Sequence, residues 1–309
     1  MYCLTDKIKK YARELGFHKI GITAADQPLK SEYLEEWLHK GYHGKMAWME
    51  RNKEYRMDIY KYFPSAKSVI CVAHNYYTSL QPISGDEYVK ISRYAWGEDY
   101  HKIMKKKLKR LLGFIKNYIP EIKGRICVDT APMLEKLWAE QAGLGWQGKN
   151  TNIITRDFGS WVFLAELIVD VELKYDEPAR DYCGSCRLCV DACPTNALLK
   201  PYRLDARKCL SYLTIEYWDG PIPDYLAKKM NNWVFGCDIC QEVCPWNRFQ
   251  KNTDERAYLP NQGSVHTLMK NMAIMNEEKY KQCFKKSPVL RPGWKNFMRN
   301  IRTALSFRH

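Results

Sequence analysis

A chain of 309 residues, 46% hydrophobic and 13% aromatic, has the composition of a packed globular protein with one large or two ordinary domains. No run approaches the roughly 18 consecutive apolar residues of a membrane-spanning helix. The first thirty residues, with Asp6 and Glu14 among the lysines, lack the apolar centre of a signal peptide. These features predict a cytoplasmic protein outside the membrane. The formal charge of +14, spread along the chain, favours a polyanionic partner such as nucleic acid over solubility alone.

The first 180 residues alternate between helical and strand patterns. Apolar residues at helical spacing predict helices at 4–15, 33–38, 102–118 and 133–142. Short apolar runs predict strands at 20–23, 68–73 and 125–128. Segments 151–154 and 161–169 are predicted to pair as a hairpin around Asp157-Phe158-Gly159. The fold class is therefore α+β, with an α/β-type first domain.

The chain is predicted to divide into three regions. The charged segment 174–180, which contains Pro178, is the predicted linker between the first two. Residues 1–175 would form a cofactor-binding catalytic domain, and residues 176–250 a cysteine-rich domain. Residues 251–309 would form a basic extension packed on the core and ending in an amphipathic helix over 294–307.

Eight of the twelve cysteines fall between Cys183 and Cys244, at metal-ligand spacing. Residues 183–194 read CGSCRLCVDACP, the C-x2-C-x2-C-x3-C-P run of bacterial ferredoxins. Downstream, Cys237, Cys240 and Cys244-Pro245 repeat both ends of that run without its middle cysteine, and Cys209 can supply the missing thiolate. The pattern predicts a ferredoxin-like domain with two four-iron clusters in a reducing compartment.

In two-cluster ferredoxins the fourth cysteine of each run crosses to the other cluster. That rule predicts one ligand set of Cys183, Cys186, Cys189 and Cys244, and a second of Cys193, Cys209, Cys237 and Cys240. Zinc also accepts four thiolates, but it is usually held by two separated pairs, so the ferredoxin interpretation is preferred. The four remaining cysteines are assigned no role.

Three stretches of the sequence resemble the epoxyqueuosine reductases, which are cobalamin-dependent iron–sulfur enzymes acting on tRNA. They are CVDTAPMLEKLWAEQAGLGWQGKN (127–150), CLSYLTIEYWDGPIP (209–223) and FGCDICQEVCPWN (235–247). The resemblance extends to RYAWGEDYHKIMKKKLKRL (93–111) and, more weakly, to SPVLRPGWKNFMRN (287–300). Some members continue into a C-terminal helical-repeat domain, which we expect to be absent here.

The resemblance implies an oxidoreductase that converts epoxyqueuosine to queuosine at the wobble position of tRNA. The clusters would reduce cobalamin, and the epoxide oxygen would leave as water after a two-electron reduction. An acid must protonate that oxygen, and the family's proton donor falls on Asp129, whose pKa we expect desolvation to raise. The residues alone favour a cap or turn role for Asp129. By resemblance, the cofactor-binding residues are Arg56, Asp129, Lys149, Ser211, Phe235 and Gly236.

The expected partners are a tRNA bearing epoxyqueuosine and an external low-potential electron donor, and the chain is expected to be a monomer. Aromatic residues Tyr212, Tyr217 or Trp218 would stack on an unpaired base. Phosphate contacts would come from one basic helix, through Lys102, Lys105, Lys106, Lys107, Lys109 and Arg110.

Two other functions remain open at this stage. A reductive dehalogenase-like enzyme would share both kinds of cofactor, but a twin-arginine export signal would be expected and its small substrate would not need a basic surface. A plain ferredoxin-type electron carrier would have no chemistry of its own. Cobalamin binding would discriminate against the electron carrier.

Overall fold

The computed structural model describes residues 3–26, 32–81, 85–261 and 265–307. Over these residues the strands are β1 (Lys19–Ala24), β2 (Ser68–Asn75), β3 (Lys90–Ile91), β4 (Gly124–Cys127), β5 (Trp146–Gln147), β6 (Ile153–Ile154), β7 (Val162–Val169), β8 (Leu198–Lys200), β9 (Arg203–Leu204) and β10 (Trp233–Phe235). The α-helices are α1 (Leu4–Glu14), α2 (Glu32–His39), α3 (Ala47–Arg51), α4 (Lys53–Met57), α5 (Ile59–Tyr62), α6 (Tyr100–Lys116), α7 (Glu135–Gln141), α8 (Leu188–Asp191), α9 (Leu210–Ile215), α10 (Asp224–Ala227), α11 (Ile239–Glu242), α12 (Met269–Ala273), α13 (Glu277–Cys283) and α14 (Gly293–Ser306). Short 3-10 helices lie at Arg93–Ala95, Ala206–Lys208, Pro245–Phe249, Arg256–Tyr258 and Pro288–Leu290.

A four-stranded sheet in the order β1-β2-β7-β4 forms the first half of the molecule, and its neighbouring strands are all antiparallel. The long strands β2 and β7 lie at its centre because their side chains are almost all buried on both faces. The α+β class predicted from the sequence is confirmed.

Helices cover both faces of this sheet. On one face, α1 and α6 pack their apolar sides on alternate residues of β2 and β7, among them Ile70, Val72 and Leu167. On the other face, α7 packs through Trp138 on the intervening residues, such as Cys71. Successive side chains of β2 point to opposite faces of the sheet, so they contribute alternately to two separate apolar cores.

A third core holds the C-terminal part of the chain to the rest. It is built around β10, which pairs in parallel with β3, and around the buried faces of α9 and α14. Its members come from 89–96, 206–235 and 269–304, which fall in all three predicted regions. The helix predicted at 294–307 is present as α14 and contributes Phe297 and Ile301 to this core.

One predicted pairing is wrong. Strand β6 pairs with β5 rather than with β7, and a single bridge between Thr155 and Gly159 closes the predicted turn. The reason is burial, because β7 is apolar on both faces and needs a long neighbour on each side. The central strand β2 and the edge strand β4 provide those neighbours, whereas β6 has only two residues.

The predicted linker 174–180 is tied to the sheet. Asp176 accepts hydrogen bonds from the Lys9 side chain (2.5 Å) and from the backbone of Ile22 (2.8 Å). The three-region division itself stays a prediction. Among the described residues, no helix combines the length and the apolar character needed to span a bilayer.

Candidate active site

Asp129 lies just beyond the C-terminal end of β4, and its backbone has a left-handed φ of +51°. The N–H of Thr130 donates to the carbonyl of Val128 at 2.6 Å, so the chain turns sharply around Asp129. The Asp129 side chain is 43% exposed. A carboxyl group is thus presented at the edge of the sheet by a tight turn.

Side chains from α6 and α7 hold Asp129 in this position. The Nε2 atom of His101, in the first turn of α6, lies 3.1 Å from Asp129 Oδ2. The backbone N–H of Asp129 donates to Glu135 Oε1 at 2.5 Å, from the start of α7. One helix from each face of the sheet therefore contacts the same aspartate.

His101 is itself held by Asp99, the N-cap residue of α6, whose Oδ1 lies 2.5 Å from His101 Nδ1. Burial acts to lower the pKa of His101, but the two carboxylates outweigh it and raise that pKa to about 9. At neutral pH the imidazole therefore carries a proton between two carboxylates. Sequence reasoning assigned His101 no role, because no local pattern links it to Asp129, 28 positions away.

The expectation of a raised Asp129 pKa is wrong for this arrangement. Burial raises the pKa, but the hydrogen bond and charge of His101 and the charge of Arg291 lower it by more, so the net shift is downward. Sequence reasoning considered desolvation alone and did not anticipate a cationic neighbour. The carboxyl group of Glu135 behaves in the opposite way, because burial and the charge of Asp129 raise its pKa to about 8.

The thiols of the clustered cysteines act on one another electrostatically. Burial raises the pKa of Cys189 to about 11, and the nearby thiols of Cys244, Cys183 and Cys186 add to this shift. Burial also raises the pKa of Cys237 and Cys240, with the neighbouring Cys209 adding to both, and both Cys193 and Cys189 act on Cys240. The division of the eight cysteines into two groups of four ligands stays a prediction.

The two groups differ in their surroundings. Around the first, most of the loop 181–188 is exposed to solvent. The second is flanked by the buried elements α9 and β10. We call them the outer set (Cys183, Cys186, Cys189 and Cys244) and the inner set (Cys193, Cys209, Cys237 and Cys240).

Residues of 146–150, which we call the bracing segment, hold the cysteine loops in place. The Lys149 ammonium donates to the carbonyls of Gly184 (2.5 Å) and Cys186 (2.8 Å). Trp146 Nε1 donates to Cys183 Sγ at 3.4 Å, and the amide of Asn150 donates to the carbonyl of Cys240 at 3.1 Å. Lys149 is predicted to bind a cofactor, but in this structure its ammonium group is bonded to the outer cysteine loop.

The other predicted cofactor-binding residues lie on separate elements. Ser211 lies in α9, two positions after Cys209, and Gly236 follows β10. Phe235 is fully buried in the third core, and its carbonyl accepts the backbone N–H of Ser92. Gly236 has a φ of +69°, and a Cβ there would lie 2.4 Å from the Cβ of Ser92, so no larger residue fits.

Arg56, in α4, is a buried cation with weak protein contacts. It is only 4% exposed, yet its hydrogen bonds to the carbonyls of Trp48 and Met49 are both 3.5 Å long. Burial lowers its pKa. A guanidinium in this state is suited to an anionic or strongly polar ligand group.

The predicted nucleic-acid contacts are partly revised. The basic residues of α6 are exposed except Lys107, which is half-buried and pairs with Glu255 at 2.9 Å. Tyr212 is 6% exposed and its hydroxyl accepts the backbone N–H of Lys45, so this ring is not free to stack. The ring of Trp218, by contrast, is 53% exposed.

Comparisons with known proteins agree with these features. Residues 182–247 match the family model described as "4Fe-4S double cluster binding domain", and residues 56–130 match one described as "Epoxyqueuosine reductase QueG, DUF1730". The fold, with a carboxylate–imidazole site and a double-cluster cysteine region in one chain, defines the class of two-cluster iron–sulfur oxidoreductases.

The relatives narrow that class to one family. An epoxyqueuosine reductase of Cyclobacterium marinum is 47% identical over 96% of this chain and 95% of its own length. The Escherichia coli epoxyqueuosine reductase is 40% identical over 98% of this chain and 80% of its own. The chain belongs to the epoxyqueuosine reductase family.

Solved structures are similarly close. An epoxyqueuosine reductase crystallised with an epoxyqueuosine-modified tRNA stem loop aligns with a TM-score of 0.91 at 33% identity, covering 98% of this chain and 81% of its own. A Bacillus subtilis epoxyqueuosine reductase, described with its aspartate catalytic loop swung out of the active site, aligns with a TM-score of 0.89 at 32% identity and the same coverage.

Proposed function

We propose that this protein reduces epoxyqueuosine to queuosine in the anticodon of tRNA, with Asp129 in the proton-donating site. The observation that carries the proposal is the pair of Asp129 and His101, a carboxylate oxygen 3.1 Å from an imidazole nitrogen, in a chain whose residues 182–247 match the double-cluster family model. One chain thus combines a proton source with an electron source. The charges of Asp129, Cys209 and Cys240 all act on Lys136, which supports a short path between the two.

The reaction consumes two electrons and two protons. Both carbon–oxygen bonds of the epoxide break, a carbon–carbon double bond forms, and the oxygen leaves as water. The electrons would come from an external low-potential donor and pass through the outer set to the inner set, because the outer set lies nearer to solvent. The protons must come from acidic side chains next to the substrate.

Asp129 and His101 would act as one acid. In the resting state the proton lies on the imidazole, because the pKa of His101 is raised and that of Asp129 is lowered. As negative charge develops on the epoxide oxygen, the proton would move from His101 to the exposed Asp129 carboxyl group and from there to that oxygen. Asp99 keeps the His101 ring oriented throughout.

The residues around this site also fit cobalamin. Arg56 offers a buried, weakly bonded guanidinium for a polar group of the cofactor, and Ser211 and Gly236 lie beside the inner set. When bound, cobalamin would supply the low-valent cobalt that passes electrons to the epoxide. Lys149 and the Phe235 side chain would contribute indirectly, by holding the surrounding loops and core.

The tRNA would approach along α6. This helix begins at Tyr100, next to the His101–Asp129 pair, and carries Lys102, Lys105 and Lys106 on its exposed side. Lysines in that position can neutralise phosphates flanking the anticodon. The exposed Trp218 could stack on an unpaired base. A tRNA substrate implies action in the cytoplasm, and we propose that the chain acts as a monomer.

A single-turnover assay tests the proposal. Protein with reconstituted clusters, cobalamin and a strong reductant is mixed anaerobically with an anticodon stem-loop carrying epoxyqueuosine, and the nucleosides are analysed by mass spectrometry. Cobalamin-dependent loss of one oxygen mass is the expected result. Bound cobalamin without conversion would support a dehalogenase-like enzyme instead, and absence of cobalamin binding would support an electron carrier.

A further inference from the structure

The backbone at Asp129 is strained and must be held by its surroundings. A positive φ is unusual for a residue with a side chain, and a turn closed between the first and third residue around such a centre is rare. Met133 N–H donates in the same way to the carbonyl of Ala131, so the segment between β4 and α7 contains two consecutive tight turns. Without further contacts this segment would relax to a more extended form.

Among the described residues, the hydrogen bond that fixes the Asp129 backbone from outside the turn comes from Glu135. The Asp129 N–H donates to Glu135 Oε1 at 2.5 Å, and this bond links the two ends of the segment 129–135. His101 contacts the Asp129 side chain only. The two contacts are thus distinct: His101 orients the carboxyl group, and Glu135 fixes the backbone that carries it.

The charges around Glu135 are those of the active site. Asp129, His101 and Lys136 all act on its carboxyl group, and Glu166 on β7 faces it from the sheet. Burial and the charge of Asp129 raise its pKa to about 8. Protonated or ionised, a carboxyl oxygen can accept the Asp129 amide, so the contact persists across the neutral range.

We infer that Glu135 is a positioning residue, which keeps Asp129 turned towards the substrate by accepting its backbone N–H. The inference rests on the proposed role of Asp129. It does not require Glu135 to touch substrate or cofactor. Loss of the Glu135 acceptor should release the turn while leaving the sheet, the helix and the cysteine loops in place.

The helix α7 supplies a matched control. Glu140 is also a glutamate of α7, and its side chain also accepts a backbone N–H, from Gln147 of β5 at 3.0 Å rather than from the Asp129 turn. Glu140→Ala therefore removes the same kind of bond from the same helix. Because Gln147 lies in the bracing segment, kcat of every variant is compared per loaded cluster. A general effect on helix stability would appear in both variants, whereas an effect on Asp129 would appear only at Glu135.

The experiment compares Glu135→Ala, Glu135→Gln and Glu140→Ala in the cluster- and cobalamin-loaded protein. We expect Glu135→Ala to lower kcat roughly 10- to 100-fold with little change in KM, as for the loss of one buried hydrogen bond. Glu135→Gln retains an acceptor oxygen and should stay within about threefold of wild type. Glu140→Ala should turn over at a rate close to wild type.

Amide hydrogen exchange gives a readout independent of turnover. Peptides covering 128–135 should exchange faster in Glu135→Ala than in wild type or Glu140→Ala, with peptides from β2 unchanged. Equal kcat for the two alanine variants, or unchanged exchange at 128–135, would overturn the inference. Wild-type turnover by Asp129→Asn would instead show that Asp129 is not the acid, which is the premise of this inference. Failure of the proposed acid is therefore distinguishable from failure of the positioning role.

Discussion

The Asp129 site is carried by elements of regular structure, whereas the predicted cluster ligands lie on short helices and the loops between them. His101 lies in the first turn of a 17-residue helix, and Asp129 follows a strand of the main sheet. In the cysteine region, α8 and α11 have four residues each, and the apolar cluster around Cys244 contains three buried residues. Proton transfer needs fixed distances between side chains, which long elements provide, but four thiolates are brought to fixed geometry by the iron they bind.

The two regions should also differ in what stabilises them. The sheet has two apolar cores, one on each face, and does not depend on a metal. Around the outer set the apolar cluster at Cys244 is small, so iron–thiolate bonds must supply much of the stability there. Loss of iron should therefore leave the sheet folded.

Loss of one inner cysteine should have the largest effect. Cys240→Ala is expected to lower iron content by about half and to abolish turnover, because the inner set is proposed to pass the electrons to the Asp129 site. Iron analysis and the spectrum of the reduced protein measure this. Cys3→Ala, at an exposed cysteine outside the two sets, should retain full iron and turnover. Full iron content in Cys240→Ala would contradict the ligand assignment.

At Asp129 we expect turnover to be lost while the iron content is retained. Asp129→Asn should lose roughly 10²- to 10⁴-fold in turnover, the range for removing a general acid, while keeping its iron and cobalamin. Asp170→Asn is the matched control, because Asp170 also follows a strand of the same sheet and its side chain accepts a backbone N–H, from Lys123. Wild-type turnover by Asp129→Asn would remove this residue from the mechanism.

A smaller effect is expected for tRNA binding, which we assign to the Asp129 side of the molecule. Lys105→Glu combined with Lys106→Glu should weaken binding of the anticodon stem-loop about tenfold or more, and should flatten its dependence on salt. The matched control is Lys228→Glu with Lys229→Glu, another exposed adjacent pair, which directly follows α10. Equal losses in both double variants would mean that the basic surface acts as a whole.

The smallest effect concerns the sheet interior. Glu166 is fully buried, and among the residues that the structure describes neither of its carboxyl oxygens has a hydrogen-bond partner. Burial raises its pKa well above the ordinary value. Because the folded state favours the protonated form, its contribution to stability is full below about pH 4 and is lost progressively as pH rises towards the folded pKa.

Glu166→Gln removes the ionisable group and with it this pH-dependent loss of stability. We expect it to raise Tm by about 5 °C at pH 8 and by much less at pH 5, in cluster-loaded protein followed anaerobically. Glu172→Gln, at an exposed glutamate shortly after β7, should change Tm little at either pH. An equal gain at both pH values would mean that packing, not ionisation, is responsible.

The sequence predicted the cysteine region better than the Asp129 site. The ligands of a cluster recur at short spacing, so the run CGSCRLCVDACP by itself predicts a cluster-binding loop. Asp129 was found by resemblance, but His101 and Glu135 become its neighbours only when α6 and α7 pack on opposite faces of the sheet. The false hairpin at 151–169 has the same origin, because local patterns do not say which strands pair.

The bracing segment also decides whether the cysteine region can be transplanted. A fragment cut at residues 176 and 250 would contain all eight cysteines, but it would leave behind Trp146, Lys149 and Asn150 with their bonds to both loops. The cysteine region is thus not a portable ferredoxin module. Its loops are shaped by the neighbouring domain before iron arrives, so cluster insertion should come last in maturation and should wait for the sheet to fold.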